Sequence, residues 1–294
     1  MKPIVALAAG LAALLSLGIA AAHVGAGGGQ SQPPAAPAAK PRVASTALCG
    51  DMWVLALADR DQILSLSRDA AGPSSPYAGE AAGLPRNRGS LEELIAGDAG
   101  LVVTGQGSST QMRRVLGRFG IAELDLGATS DLQELADKIP QVGERLGQPE
   151  RGKALRAAFL HDIAAAADPG RDGPVVAYYR PDGGGAGAGT IVDAALSAAG
   201  YQNMQRRTGP AGWGGIPLEQ IVMTPPGAFV VSYFDTQPPA RNAGLGRNPV
   251  LRRAAEQGVV LPVPGKLWPC DHPVISQAVT LLAGERLRLE GAFR

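Results

Sequence analysis

Neither sign of charge is in excess: 27 Lys and Arg against 26 Asp and Glu leave a net charge of +1. That is too little field to hold nucleic acid or an acidic membrane surface, so neither is an expected partner. Histidine is equally scarce. Of three in the chain, only His161 and His272 follow the N-terminal region, and neither lies in a cluster with metal-ligand spacing. A site for a bare zinc or manganese ion is not expected, nor is a cofactor. Aromatic residues make up 4%, so each Trp and Tyr is worth placing. There is no Gly-x-Ser-x-Gly elbow and no carboxylate pair in a recognisable catalytic setting, so no catalytic residues are expected. The glycine run Gly183 to Gly189 sits between a strand and a helix as a nucleotide loop would. No Lys-Ser/Thr follows it, which excludes a P-loop. Cysteine occurs only as Cys49 and Cys270.

What is present is a globular balance, 45% hydrophobic and 18% charged over 294 residues, enough for one large domain or two small ones. Residues 1–22 read as an export signal: Met1-Lys2-Pro3 supplies the charge, Ile4 to Ala22 the apolar run, Ala20 and Ala22 the small residues of a cleavage site. The alternative is an uncleaved anchor, since the run approaches the roughly 20 residues that span a bilayer. On either reading the body lies outside the cytoplasm, and no Cys directly follows the run to carry a lipid. Residues 23–41, largely Gly, Pro and Ala, cannot form a core and read as a disordered linker. An oxidising compartment favours a bond between Cys49 and Cys270. The competing reading is two free thiols that bind a soft metal or a metal complex.

From residue 42 onward, strand and helix patterns alternate, the signature of a parallel sheet wrapped by helices. Strands are expected at 42–48, 63–66, 101–103 and 121–126, with helices at 49–58, 90–96 and 109–119. The 90–96 helix carries Ser90 as N-cap and Glu93 as the return arm of a capping box. The 109–119 helix carries the stripe Met112, Val115, Leu116, Phe119. A helix over 131–146 contains Pro140, expected to kink or split it. Another runs from Pro149 to about Asp168, roughly 30 Å, long for a connector. A strand at 174–179, a glycine loop at 183–189 and a helix at 190–199 resume the alternation. Helices at 218–223, 249–257 and 272–287 and strands at 228–234 and 259–263 complete it.

One internal echo organises the whole. Ser90-Leu91-Glu92-Glu93-Leu94-Ile95 precedes the strand at Leu101, and Pro217-Leu218-Glu219-Gln220-Ile221-Val222 precedes the strand at Phe229. Two α/β halves can produce such an echo by chance. The reading adopted is two similar lobes, residues 42–148 and 169–294, joined by the helix 149–168.

On the stretches Arg42 to Asp51, Leu55 to Ser67, Gly83 to Leu94 and Leu267-Trp268-Pro269-Cys270, in that order and spacing, the chain resembles the class III periplasmic binding proteins of ABC importers, the cobalamin, haem and ferric-siderophore type. The resemblance covers about residues 42 to 290. It implies two Rossmann-like lobes joined by a single long helix, a ligand cleft between them, and little lobe motion. It also implies a monomer whose partners are an inner-membrane ABC permease with its ATPase and an organometallic or chelate ligand. By position in the repeated motif, Glu92 and Glu219 would dock to basic residues of the permease; the plain alternative is two solvated helix carboxylates.

Ligands of open α/β sheets bind beyond the carboxyl ends of the strands. Tyr77, Gln106, Tyr179, Arg180, Trp213 and Trp268 are the candidate ligand-binding residues, since flat ligands want aromatic faces and an Arg for a carboxylate. Trp213 lies in a glycine-rich segment that suggests a mobile aromatic. The favoured form of the Cys49–Cys270 pair is a cross-lobe disulfide. A ligand-free exported scaffold or sensor subunit, and an exported enzyme on the same fold, are the alternative functions.

Overall fold

The computed structural model describes residues 40–105, 110–167, 173–180, 183–232, 249, 253 and 259–292. The expected signal 1–22, nearly all of the linker 23–41, Gln106 and nearly all of the expected helix 249–257 lie outside these residues.

The first half begins with β1 (Val43–Ser45), α1 (Leu48–Leu57), β2 (Ile63–Ser65), α2 (Leu91–Ala96) and β3 (Leu101–Thr104). It continues with α3 (Thr110–Arg118), β4 (Ala122–Asp125) and α4 (Leu132–Arg145). Its four strands are all parallel in the order β2-β1-β3-β4, with Val43 opposite Leu101 and Leu101 opposite Ala122. β1 and β3 are buried along their whole length, as parallel strands covered on both faces must be. Alternate residues divide between the faces. Val43, Leu101 and Val103 join Met52, Trp53 and Val54 of α1, while Ala44 and Val102 join Leu94 of α2 and Leu116 of α3.

α5 (Pro149–Ala166) follows, with Pro at its first position. The second half contains β5 (Val175–Tyr179), β6 (Gly184–Ala186), α6 (Ile191–Ala198), β7 (Gln202–Asn203) and α7 (Met204–Thr208). After these come β8 (Trp213–Gly215), α8 (Leu218–Met223), β9 (Ala228–Ser232), β10 (Val259–Val263) and α9 (Ile275–Ala292). Its parallel sheet has the order β10-β9-β5-β7. Numbered within each half, both sheets read second-first-third-fourth strand, and α2 and α8 each feed the third. The two Rossmann-like lobes therefore share one topology.

α5 lies against both halves. On one side it meets α4 so closely that a Cβ on Gly143 would fall 2.8 Å from the Cα of Gly152. On the other, Ser276 of α9 donates to Asp162 at 3.1 Å. A single apolar cluster runs from Trp53 and Leu101 through Phe159 to Val230, Leu261 and Val279, so the lobes share a core.

Several expectations are corrected. Phe119 is not on the buried stripe but 59% exposed. α3 ends at Arg118, the chain turns through Gly120 at φ +70°, and Ile121 donates its amide to the Leu116 carbonyl while Gly120 donates to Gly117. In this Schellman turn Ile121 takes the core position. Pro140 does not split α4, which continues to Arg145 against α5. Ser90 Oγ does accept the Glu93 amide, but the Glu93 carboxylate accepts from Arg88 N at 2.6 Å, so the capping box is only half formed. The glycine segment 183–189 is not wholly a loop: β6 within it pairs antiparallel with β8, with Gly184, Gly185 and Ala186 opposite Gly215, Gly214 and Trp213.

Candidate ligand cleft

Three strands of the two sheets end at one groove. Beyond β1 lie Ala47 and Cys49, beyond β3 Gly105, and beyond β5 Arg180. Trp213 from β8 and the segment Trp268, Pro269, Cys270 and Asp271 complete a groove of about 410 Å³. It is a crevice at carboxyl ends of strands, built from both lobes, where open α/β sheets place ligands.

Each wall has a local cause. Arg180 N donates to Gly184 O and Gly183 N to Arg180 O, at 3.1 and 3.0 Å. This tight turn passes through Gly183 at φ +83° and folds β6 back towards β8. The Arg180 guanidinium then lies over the Trp213 ring, 5.9 Å from its centroid, a cation–π contact on a ring that is 54% exposed. The ribbon is packed closely from behind. A Cβ on Gly185 would fall 2.2 Å from Gln205 Oε1, and Asn203 Nδ2 donates to Ala186 O at 2.7 Å. Asn203 also donates to Asp193, whose buried carboxylate is gripped by Arg206 at 2.6–3.0 Å. Trp213 is thus a strand residue on a supported ribbon.

The opposite wall is a staple between lobes. Cys270 forms a disulfide with Cys49 at the start of α1, with Cα atoms 5.4 Å apart. Its neighbour Asp271 accepts the amide of Thr129 at 2.6 Å; burial pushes its carboxyl up, against the lowering effect of that bond. The next residue, His272, is fully buried, with its ring edge-on to Trp53 at 4.9 Å and to Tyr77 at 5.6 Å. Burial lowers His272 to about 3. Three consecutive residues thus hold three separate parts of the first lobe. Both cysteines are bonded, so the thiol reading falls, and no cluster of metal-ligating side chains exists among the described residues.

The structure brings Arg180, Trp213 and Trp268 together with Cys49 and Cys270. Tyr77 and Tyr179 are not part of the groove's lining. Tyr77 is half-buried against His272, its phenol pushed up to about 12 by burial and then by Glu80. Tyr179 is 6% exposed and packs with Met204, Ile221 and Phe229 on the far face of the second sheet. Tyr178 takes the other face and joins the main core, its ring 5.5 Å from Trp268. Asp51, near the end of β1, turns inward and accepts from the amide and hydroxyl of Ser67; burial raises it. Glu92 and Glu219 are both exposed, each the second residue of its helix. Sequence reasoning did not select Asp271 or Ala47 for the lining. Adjacency to Cys270 was the one available signal for Asp271.

No family model matches the chain, and no curated protein matches it. Solved structures do. A periplasmic heme-binding protein from Pseudomonas aeruginosa superposes with a TM-score of 0.67 at 22% identity, over 84% of this chain and 92% of that one. The apo periplasmic heme-binding protein RhuT from Roseiflexus sp. RS-1 gives 0.66 at 22%, over 83% and 97%. The periplasmic vitamin B12 binding protein BtuF of Vibrio cholerae gives 0.64 at 16%, over 85% and 98%. At these identities the likeness is one of fold. The fold is the two-lobed one of periplasmic binding proteins, the class that the sequence resembles. No helix among the described residues is long and apolar enough to cross a membrane.

Proposed function

We propose that this chain is the periplasmic substrate-binding protein of an ABC importer. It captures a chelate such as cobalamin, haem or an iron-siderophore in the cleft and delivers it to the inner-membrane permease and its ATPase. The observation that carries the reading is the groove itself, built at strand ends of two lobes of equal topology. The apolar N-terminal segment supports an exported location, and a binding rather than catalytic role agrees with the names of the structural neighbours. Glu92 and Glu219 are the docking pair. Supporting them is their equivalence: Leu94 and Ile221, two residues further on, are both buried anchors, so each carboxylate stands at the same outward position of an equivalent helix.

Native mass spectrometry of protein purified from its own periplasm should show a retained ligand. Charge reversal at both positions (Glu92→Lys with Glu219→Lys) should abolish uptake while ligand affinity stays unchanged. Undiminished uptake in that double variant rejects the docking assignment; absence of any retained or added chelate rejects capture.

A further inference from the structure

The β6–β8 ribbon has one edge that no described residue closes. Its two strands form a sheet of their own, so each has a second edge. On β6 that edge is taken: Gly184 O accepts from Arg180 N at 3.1 Å and Ala186 O from Asn203 Nδ2 at 2.7 Å. Residues 184 and 186 therefore face away from β8, and Gly185 faces towards it. Opposite residues of an antiparallel pair alternate together, so Gly214 faces β6 while Trp213 and Gly215 turn their N–H and C=O groups outward. Both residues are exposed, and no described residue bonds these outward groups. The edge strand β4 is guarded instead: Arg145 Nη2 takes the Glu123 carbonyl at 2.8 Å and Lys138 Nζ the Leu126 carbonyl at 2.6 Å. The glycines of β8 also lack a packing cause. A Cβ on Gly214 or Gly215 would meet only ordinary contacts, the nearest at 3.6 and 3.5 Å, and neither has a positive φ. Glycine weakens a strand and marks a place where another backbone comes close.

We infer that the outer edge of β8 receives an extended periplasmic segment of the permease as a third strand. This rests on the transport reading and deepens it. The segment pairs its main chain with Trp213 and Gly215, the mode in which an extended peptide joins an exposed sheet edge. Its side-chain chemistry follows from the neighbours. An apolar residue lies against the half-exposed Trp213 ring, and a basic residue reaches Glu219, four positions beyond Gly215 and second in α8. Two arguments favour this occupant over a second copy of the chain. The edge leads within three residues into the helix that carries the docking carboxylate. With two outward residues it is also far too small to hold a dimer alone, which needs about 1,000 Å² or more, but it suits one part of a contact that includes Glu92.

The test uses the full chain and its own permease–ATPase complex in nanodiscs. Amide exchange read by mass spectrometry should show Trp213 and Gly215 exchanging freely in the chain alone and at least tenfold more slowly in the complex. Gly215→Pro, which removes an outward donor, should weaken binding to the complex at least fivefold. Gly215→Ala keeps the donor and should bind within twofold of the unaltered chain. The exchange comparison needs no variant and stands whatever Gly215→Pro does to folding. Unchanged exchange at both amides in a complex that does form overturns the inference and leaves the transport reading standing. So does Gly215→Pro binding as tightly as the unaltered chain while Glu92→Lys with Glu219→Lys does not bind. A dimer of the unaltered chain in sedimentation that Gly215→Pro abolishes gives the edge to a second copy and overturns it too. No binding of the folded, unaltered chain to the complex rejects the docking reading itself.

Discussion

His272 shows how a single residue ties stability to pH. Its Nδ1 accepts the Val274 amide at 3.1 Å, and its ring is enclosed by Trp53 and Tyr77, with the Met52 backbone favouring the charged form against the larger effect of burial. Burial lowers the folded-state value from 6.5 to about 3. The unfolded chain therefore binds a proton that the folded chain refuses. This contribution is complete above pH 6.5 and falls away as pH drops towards 3. Asp51 and Asp271, raised by burial, act in the opposite sense and favour the fold at the acid end, so the histidine term must be isolated by substitution. Urea midpoints of the unaltered chain and His272→Phe, compared from pH 7 to 4, should converge or cross as the unaltered chain loses ground. A difference independent of pH rejects the assignment. The sequence assigns His272 no role; the structure makes it a core residue.

Helices α4 and α5 are joined at the scale of the element by two glycines without side chains to separate them. A Cβ on Gly143 would lie 2.8 Å from the Gly152 Cα and 3.0 Å from the Gln148 carbonyl. These are backbone atoms that cannot swing aside. Gly117 in α3 sits in a helix too, but a Cβ there meets nothing within 4 Å. The same substitution should therefore have opposite signs. Gly143→Ala should destabilise by about 1–3 kcal/mol through overpacking, and Gly117→Ala should stabilise by up to about 1 kcal/mol through helix propensity. Denaturant midpoints read both; two changes of like sign would show that close approach does not set the α4–α5 spacing. What the sequence disclosed and what it concealed follow the same physics. The echo at 90–95 and 217–222 was legible because the buried anchors Leu94 and Ile221 repeat at the same position, and α2 and α8 occupy equivalent places. The β6–β8 ribbon was not legible, because Gly184-Gly185 and Gly214-Gly215 carry no apolar alternation and their pairing is decided by contacts thirty residues apart. Tyr179 and Tyr178 differ by one register position, and only the sheet's packing decides which face each takes.

Across the whole molecule the unit of stability is larger than the lobe. The main apolar cluster takes residues from both sheets, from α5 and from α9, so neither lobe can unfold without exposing apolar surface of the other. The Cys49–Cys270 bond crosses the same boundary with a sequence separation of 221, a closure worth about 5 kcal/mol in the chain-entropy model before strain. These two devices differ in kind: the shared core makes the lobes cooperative, whereas the disulfide mainly restricts the unfolded chain. Replacing both cysteines (Cys49→Ser with Cys270→Ser) should therefore lower the melting temperature strongly while leaving one calorimetric transition, with calorimetric and van't Hoff enthalpies equal. Because Cys270 also anchors Pro269 and Asp271 in the groove, the same variant should bind its ligand more weakly even at temperatures where it is fully folded. If instead the melt resolves into two transitions, the covalent link and not the shared core couples the lobes. Their common placement against α5 would then not suffice to hold a preformed cleft.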